Sequence, residues 1–128
     1  MAGAKILVAD DAEGQRMLLE MLLSADGHEV HAAADGREAL AYLKVETPDL
    51  AVLDVAMPFI TGIDVCHRMK RVPRLKRVPV IILTALTDER TREMARMARA
   101  DAVVPKPLEG KDFRATVTDL LAAARSPP

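Results

Sequence analysis

The feature that most constrains this 128-residue chain is an alternation. Five short apolar runs, at residues 6–9, 30–34, 50–53, 80–83 and 102–104, are separated by segments whose apolar residues recur at helical spacing. The runs are rich in Val, Ile, Leu and Ala without polar alternation, which reads as strands buried on both faces. Between them, Met17, Leu18, Met21, Leu22 and Ala25 form a helical stripe expected to be mainly core, with Gly27 as its stop. Asp35 is placed to cap a second helix carrying Ala39, Leu40 and Leu43, and Gly62 opens a third with Val65, Cys66 and Met69. Thr87-Asp88-Glu89 opens a fourth, and a fifth runs from about residue 110 to 124 with Phe113, Val117, Leu120 and Leu121 on one face. Five strands alternating with five helices imply a doubly wound α/β sandwich of three layers, (βα)5, with a parallel sheet in the middle.

Composition narrows the function. The aromatic residues are Tyr42, Phe59 and Phe113, too few for a platform that stacks single-stranded bases. One cysteine, Cys66, excludes an internal disulfide or a multi-cysteine metal site, and a small buried role suits it. A reducing, cytoplasmic setting is expected. No apolar run approaches the ~18 residues of a membrane span, and no secretory leader is legible at the start. Charge is divided: residues 1–66 hold 4 Lys/Arg against 12 Asp/Glu, and residues 67–128 hold 14 against 7. An acidic site is therefore expected in the first half.

In a parallel sheet all strand carboxyl ends lie on one edge, where ligands bind. The first strand ends in Asp10-Asp11, the third in Asp54 and the fourth in Thr84, while the fifth runs into Lys106-Pro107. The second ends in three alanines and suits an outer edge of the sheet. Any one of these residues alone is an ordinary cap or surface group; their coincidence is not. Two carboxylates ~4 Å apart repel by about 4 kcal/mol at an effective dielectric near 20, so a raised pKa or a bound cation is implied. An all-oxygen site without His or Cys suits Mg²⁺. With a carboxylate nucleophile, an ammonium and a hydroxyl, the set can carry phosphoryl transfer through an aspartyl phosphate.

The segments ILVADD, DGREAL, PDLAVLDVAMP, VPVIILTA and VVPKPL stand in an order and spacing that resemble the receiver domains of two-component response regulators, of the chemotaxis-regulator type. The resemblance spans about residues 5–123 and places one receiver domain at 4–124, with 125–128 a frayed tail or the start of a linker. It implies a flavodoxin-like sheet in the order 2-1-3-4-5. It implies that Asp54 is the phosphoacceptor and that Asp10, Asp11, Asp54 and the carbonyl of Ala56 hold Mg²⁺. By the same resemblance Thr84 is the switch hydroxyl, Lys106 contacts the phosphoryl oxygens, and the peptide before Pro107 is cis. The implied partners are a sensor histidine kinase or phosphotransfer protein and a downstream protein or output domain. A dimer through helix four, strand five and helix five is a further option. The implied role is regulatory, not enzymatic beyond the domain's own phosphoryl transfer and dephosphorylation, with neither nucleic acid nor membrane bound directly.

The chain departs from the family in places. The family usually has Tyr or Phe three residues before the lysine, and here Val103 stands there. Arg99-Ala100-Asp101 replaces the frequent Gly-Ala-Asp, so Arg99 either turns left-handed or the helix ends another way. Pro105 lacks an N–H, which an edge strand tolerates. Outside the acidic pattern, Arg68, Lys70, Arg71, Arg74, Lys76 and Arg77 read as a solvated helix end more than a nucleic-acid patch. Arg92, Arg96 and Arg99 with Met94 and Met97 read equally as solvent face or partner surface. His28, His31 and His67 lack metal-ligand spacing. Three rival readings stand beside the receiver. A carboxylate-nucleophile phosphatase typically has Asp-x-Asp on strand one. A flavodoxin-type flavin module needs a phosphate loop that Asp10-Asp11 would repel. A degenerate receiver that only binds protein is disfavoured by Asp54, Thr84 and Lys106.

Overall fold

The computed structural model describes residues 3–85 and 88–125; Thr87, read as opening the fourth helix, and residues 126–128 of the tail lie outside the described residues. The elements run β1 (Lys5–Ala9), α1 (Glu13–Ala25), β2 (Glu29–Ala33), α2 (Gly36–Val45), β3 (Leu50–Asp54), α3 (Gly62–Lys70), β4 (Val80–Thr84), α4 (Glu89–Met97), β5 (Ala102–Pro105) and α5 (Gly110–Arg125). The five strands form one parallel sheet in the order β2-β1-β3-β4-β5, the flavodoxin-like arrangement.

Strand pleating sends alternate side chains to opposite faces. Leu7, Ala51, Leu53, Val80 and Ile82 join α2, α3 and α4 in one core layer that includes Ala39, Leu43, Met69 and Ala95. Ile6, Val8, Leu50, Val52, Ile81 and Leu83 join α1 and α5 in the other, around Leu19, Leu23 and Phe113. The central strands β3 and β4 are buried at every position. β2 instead alternates exposed and covered residues, because an edge strand is sheltered less completely. The expectation that all five runs are buried on both faces therefore fails at β2, and also at β5, where every residue is partly or fully exposed.

A second correction concerns α1. Its buried residues are Leu19 and Leu23, with Leu22 packed beside them, whereas Met17, Leu18 and Met21 are exposed, Met21 to 68%. Leu18-Leu19 and Leu22-Leu23 offer two overlapping stripes of equal spacing, and the sheet takes the one rotated by a single residue.

The helix ends follow local chemistry. Asp35 caps α2 by accepting from Glu38 N, and Asp88 caps α4 by accepting from Thr91 N. Thr61 and Asp64 form a reciprocal capping box on α3. Gly27 at the end of α1 has φ of 85°, the left-handed region where a glycine carries no steric cost. Arg99 takes the same role after α4 with φ of 67°, its N–H and that of Ala100 reaching back to Arg96 O and Ala95 O. Those two bonds offset the roughly 1–2 kcal/mol that a side chain costs there. Among the described residues no helix is long and apolar enough to cross a membrane.

Candidate functional site

Asp10 follows β1 and is fully buried, at 0% exposed. Its Oδ1 accepts from Ala12 N at 2.9 Å, which ties the carboxylate to the start of α1. Its backbone carbonyl accepts from Arg16 Nη1 at 2.8 Å. Asp54, the last residue of β3, is 2% exposed, and Asp11 is exposed at the rim. One carboxylate oxygen from each of Asp10, Asp11 and Asp54 lies within 4.8 Å of the others. Lys106 enters from the loop after β5, placing Nζ 3.1 Å from Asp54 Oδ1 and 3.5 Å from Asp10 Oδ2. Thr84, buried at the end of β4, accepts from Lys106 N through its carbonyl at 2.9 Å, so hydroxyl residue and lysine are locked in register. The Lys106–Pro107 peptide is cis.

The electrostatics are those of an under-compensated acidic pocket. Burial pushes the Asp10 carboxyl above its ordinary range. The Ala12 N–H opposes that shift, the Asp54 charge adds to it, and the Lys106 ammonium opposes it. Three carboxylates face one ammonium, and the donors are all oxygens. A hard divalent cation such as Mg²⁺ fits that all-oxygen set, because it is commonly held by one or two carboxylates and keeps several waters.

Five residues singled out from sequence, Asp10, Asp11, Asp54, Thr84 and Lys106, thus meet at one sheet edge. Ala56 lies two residues beyond Asp54 in the exposed β3–α3 loop. Val103 sits apart, half-buried in β5 and packed against the core layer that holds Ala95 and Ala98. Two neighbours of the site were not legible beforehand. Arg16 clamps the Asp10 carbonyl from one turn into α1, and Gly62 brings α3 so close that a Cβ there would lie 2.3 Å from Asp54 O. A cation soon after an acidic pair, and a glycine eight residues past the isolated Asp, are the only signals they leave. In the β3–α3 loop that follows Asp54, Phe59 is exposed, left-handed with φ of 67°, and stacked under the Arg37 guanidinium at 4.7 Å. Two of the three histidines have structural contacts: His28 Nδ1 accepts from Ala4 N, and His31 stacks on Tyr42.

An all-parallel 2-1-3-4-5 sheet with an acidic trio, a hydroxyl residue and a lysine on its carboxyl edge defines the receiver class. The sequence matches the family described as "Response regulator receiver domain" over residues 6–118, and the chain belongs to that family. It is 42% identical over 123 residues to the probable transcriptional regulator ycf27 of Cyanophora paradoxa, covering 96% of this chain and 50% of that protein. It is 36% identical to the phosphate regulon transcriptional regulatory protein PhoB of Rhizobium meliloti, covering 94% of this chain and 53% of that one. The chain thus spans about half the length of these curated relatives. Among solved structures it superposes on the signal receiver domain of a signal transduction histidine kinase from Syntrophus aciditrophicus with a TM-score of 0.91 and 31% identity, covering 98% of this chain and 96% of that one.

Proposed function

We propose that this receiver accepts a phosphoryl group on Asp54 from the phosphohistidine of a sensor kinase or phosphotransfer protein. The observation that carries the proposal is the buried Asp54 carboxylate, with the Lys106 ammonium 3.1 Å away and two further carboxylates beside it. Asp10, Asp11, Asp54 and the Ala56 carbonyl are the residues that would hold Mg²⁺, which when bound supplies charge neutralisation for the incoming phosphoryl oxygens. An Asp54 oxygen attacks phosphorus, the P–N bond to the donor imidazole breaks, and the imidazole leaves with the bonding pair and takes up a proton. Lys106 counters the charge of about −1.5 to −2 that arrives, and the Thr84 hydroxyl orients toward it. Residues 4–124 form the unit that does this. The altered charge then biases the surface of α4, β5 and α5 toward a downstream partner or output domain. The role is regulatory, with turnover confined to the domain's own phosphoryl group.

Incubation with acetyl phosphate and Mg²⁺, followed by intact mass, is expected to add one phosphoryl group to the wild type and none to Asp54→Asn. An undiminished gain on Asp54→Asn, or none on the wild type, would overturn the assignment.

A further inference from the structure

On the flank of the molecule, residues near the carboxyl ends of α2 and α3 line a groove of about 270 Å³. Leu40 and Leu43 of α2, Met69 of α3, and Val72 and Leu75 of the following loop line it, and most of its lining is apolar. Lys44, Arg68 and Arg74 complete the lining, and no acidic residue contributes to it. An apolar floor with a purely cationic rim is complementary to one kind of ligand. We propose that this groove binds a small anionic amphiphile: a carboxylate on an apolar chain of medium length.

Two observations separate this from an ordinary cationic helix end. The first is how the three cations are used. Arg74 is committed: its guanidinium donates to the carbonyls of Leu43 and Glu46 and to Thr47 Oγ1. It therefore satisfies the end of α2 and forms a fixed wall. Lys70, the last residue of α3, is committed too: its Nζ donates to Val78 O at 2.7 Å in the loop before β4 and pairs with Asp101 at 3.1 Å. Lys44 and Arg68 remain exposed with no ion pair among the described residues. The two helix ends contribute about half a negative charge each, which two unpaired whole charges exceed. The second observation is that the groove is preformed. Leu43, Met69 and Leu75 belong to the buried core layer, so the floor is held by packing that exists without a ligand. The cavity is near the lower limit of small-molecule sites, which points to a ligand of about ten heavy atoms rather than a larger cofactor.

The site lies at the far end of α3 from Asp54, one helix length of about 13 Å away. Its test needs no phosphorylation and is independent of the receiver assignment. Titration of the isotopically labelled protein with sodium octanoate is expected to shift the amides of residues 40–45 and 68–75 saturably, with Kd on the order of 1 mM, as suits about ten ligand atoms. The neutral 1-octanol should bind more weakly. Lys44→Glu/Arg68→Glu, both at exposed positions, should lower octanoate affinity about ten-fold with thermal stability retained. Val72→Trp, which fills the mouth of the groove from an exposed position, should abolish binding. Octanoate and 1-octanol shifting the same amides equally, unmoved by charge reversal, would overturn the proposal, as would no localised shift at all. Shifts of these amides on raising protein concentration alone would assign the groove to a second copy of the chain and equally overturn it.

Discussion

Replacing Asp10 by Asn should make the metal-free protein more stable while removing its response to Mg²⁺. Asn keeps the shape and an oxygen to accept from Ala12 N, so the change is mainly one of charge. At an effective dielectric near 20, each carboxylate within 4.8 Å of Asp10 repels it by about 3.5 kcal/mol. The exposed position of Asp11 discounts its share. The Lys106 ammonium at 3.5 Å returns about 5 kcal/mol of attraction on the same scale. These pairwise contributions nearly cancel, which leaves the desolvation of a fully buried carboxylate, several kcal/mol per ion, to decide the sign. A net stabilisation of about 1–3 kcal/mol at pH 7 is expected, or roughly 4–11 °C in Tm for a domain of this size. The pH dependence gives an internal check. The folded carboxyl titrates above its ordinary value of 3.8, so ionised Asp10 costs nothing below that value. The penalty grows as pH rises from there through the raised folded pKa, and is complete above it. The stability gap between Asp10→Asn and wild type should therefore be small near pH 3.5 and full at neutrality. Denaturant melts across this range, with and without Mg²⁺, measure both effects. The wild type should gain stability on adding Mg²⁺ and the variant should lose most of that gain. A variant less stable than wild type by over ~1 kcal/mol at pH 7 without metal, or a gap independent of pH, would refute the electrostatic reasoning.

Two further outcomes rest on packing. Gly62→Ala puts a methyl group 2.3 Å from the Asp54 carbonyl oxygen, so it should cost about 1–3 kcal/mol and slow acetyl phosphate labelling; a gain of the ~0.5–1 kcal/mol usual for Gly→Ala in a helix would show the approach to be relaxed. Burial pushes the Cys66 thiol up to about 11, and its Sγ donates to Ala98 O at 3.3 Å, so the native protein should resist an aromatic disulfide reagent at pH 8 and react fully in guanidinium; rapid native labelling would contradict that environment.

The site was more legible in the sequence than the surfaces around it, and the reason is geometric. A parallel sheet brings strand carboxyl ends together whatever the loops do, so Asp10, Asp54 and Thr84 had to share an edge once the five runs were recognised. The pattern of α1 carries no such guarantee. Adjacent leucines at 18–19 and 22–23 give two stripes of equal spacing, and only docking on the sheet selects Leu19 and Leu23. Arg16 and Gly62 escaped because their roles lie in contacts with the Asp10 and Asp54 carbonyls, which no local pattern encodes. Phe59 leaves still less trace, since a bulky residue at φ of 67° contradicts its own backbone preference and is held by its loop and by Arg37.

Val103 sharpens how a signal would leave the site on the proposed reading. In its family a ring commonly stands at that position; here a β-branched residue with little rotamer freedom fills it, packed against the layer that holds Ala95 of α4. What connects the chemistry to that layer is backbone. Lys106 faces Asp54 through its side chain and is bonded to Thr84 through its N–H, and Thr84 pairs in register with Pro105 of β5. A phosphoryl group that draws Lys106 and Thr84 inward therefore has two rigid handles on the end of β5. On the proposed reading it would reach α4 by shifting that strand as a unit, since Val103 offers no ring to swing between two positions.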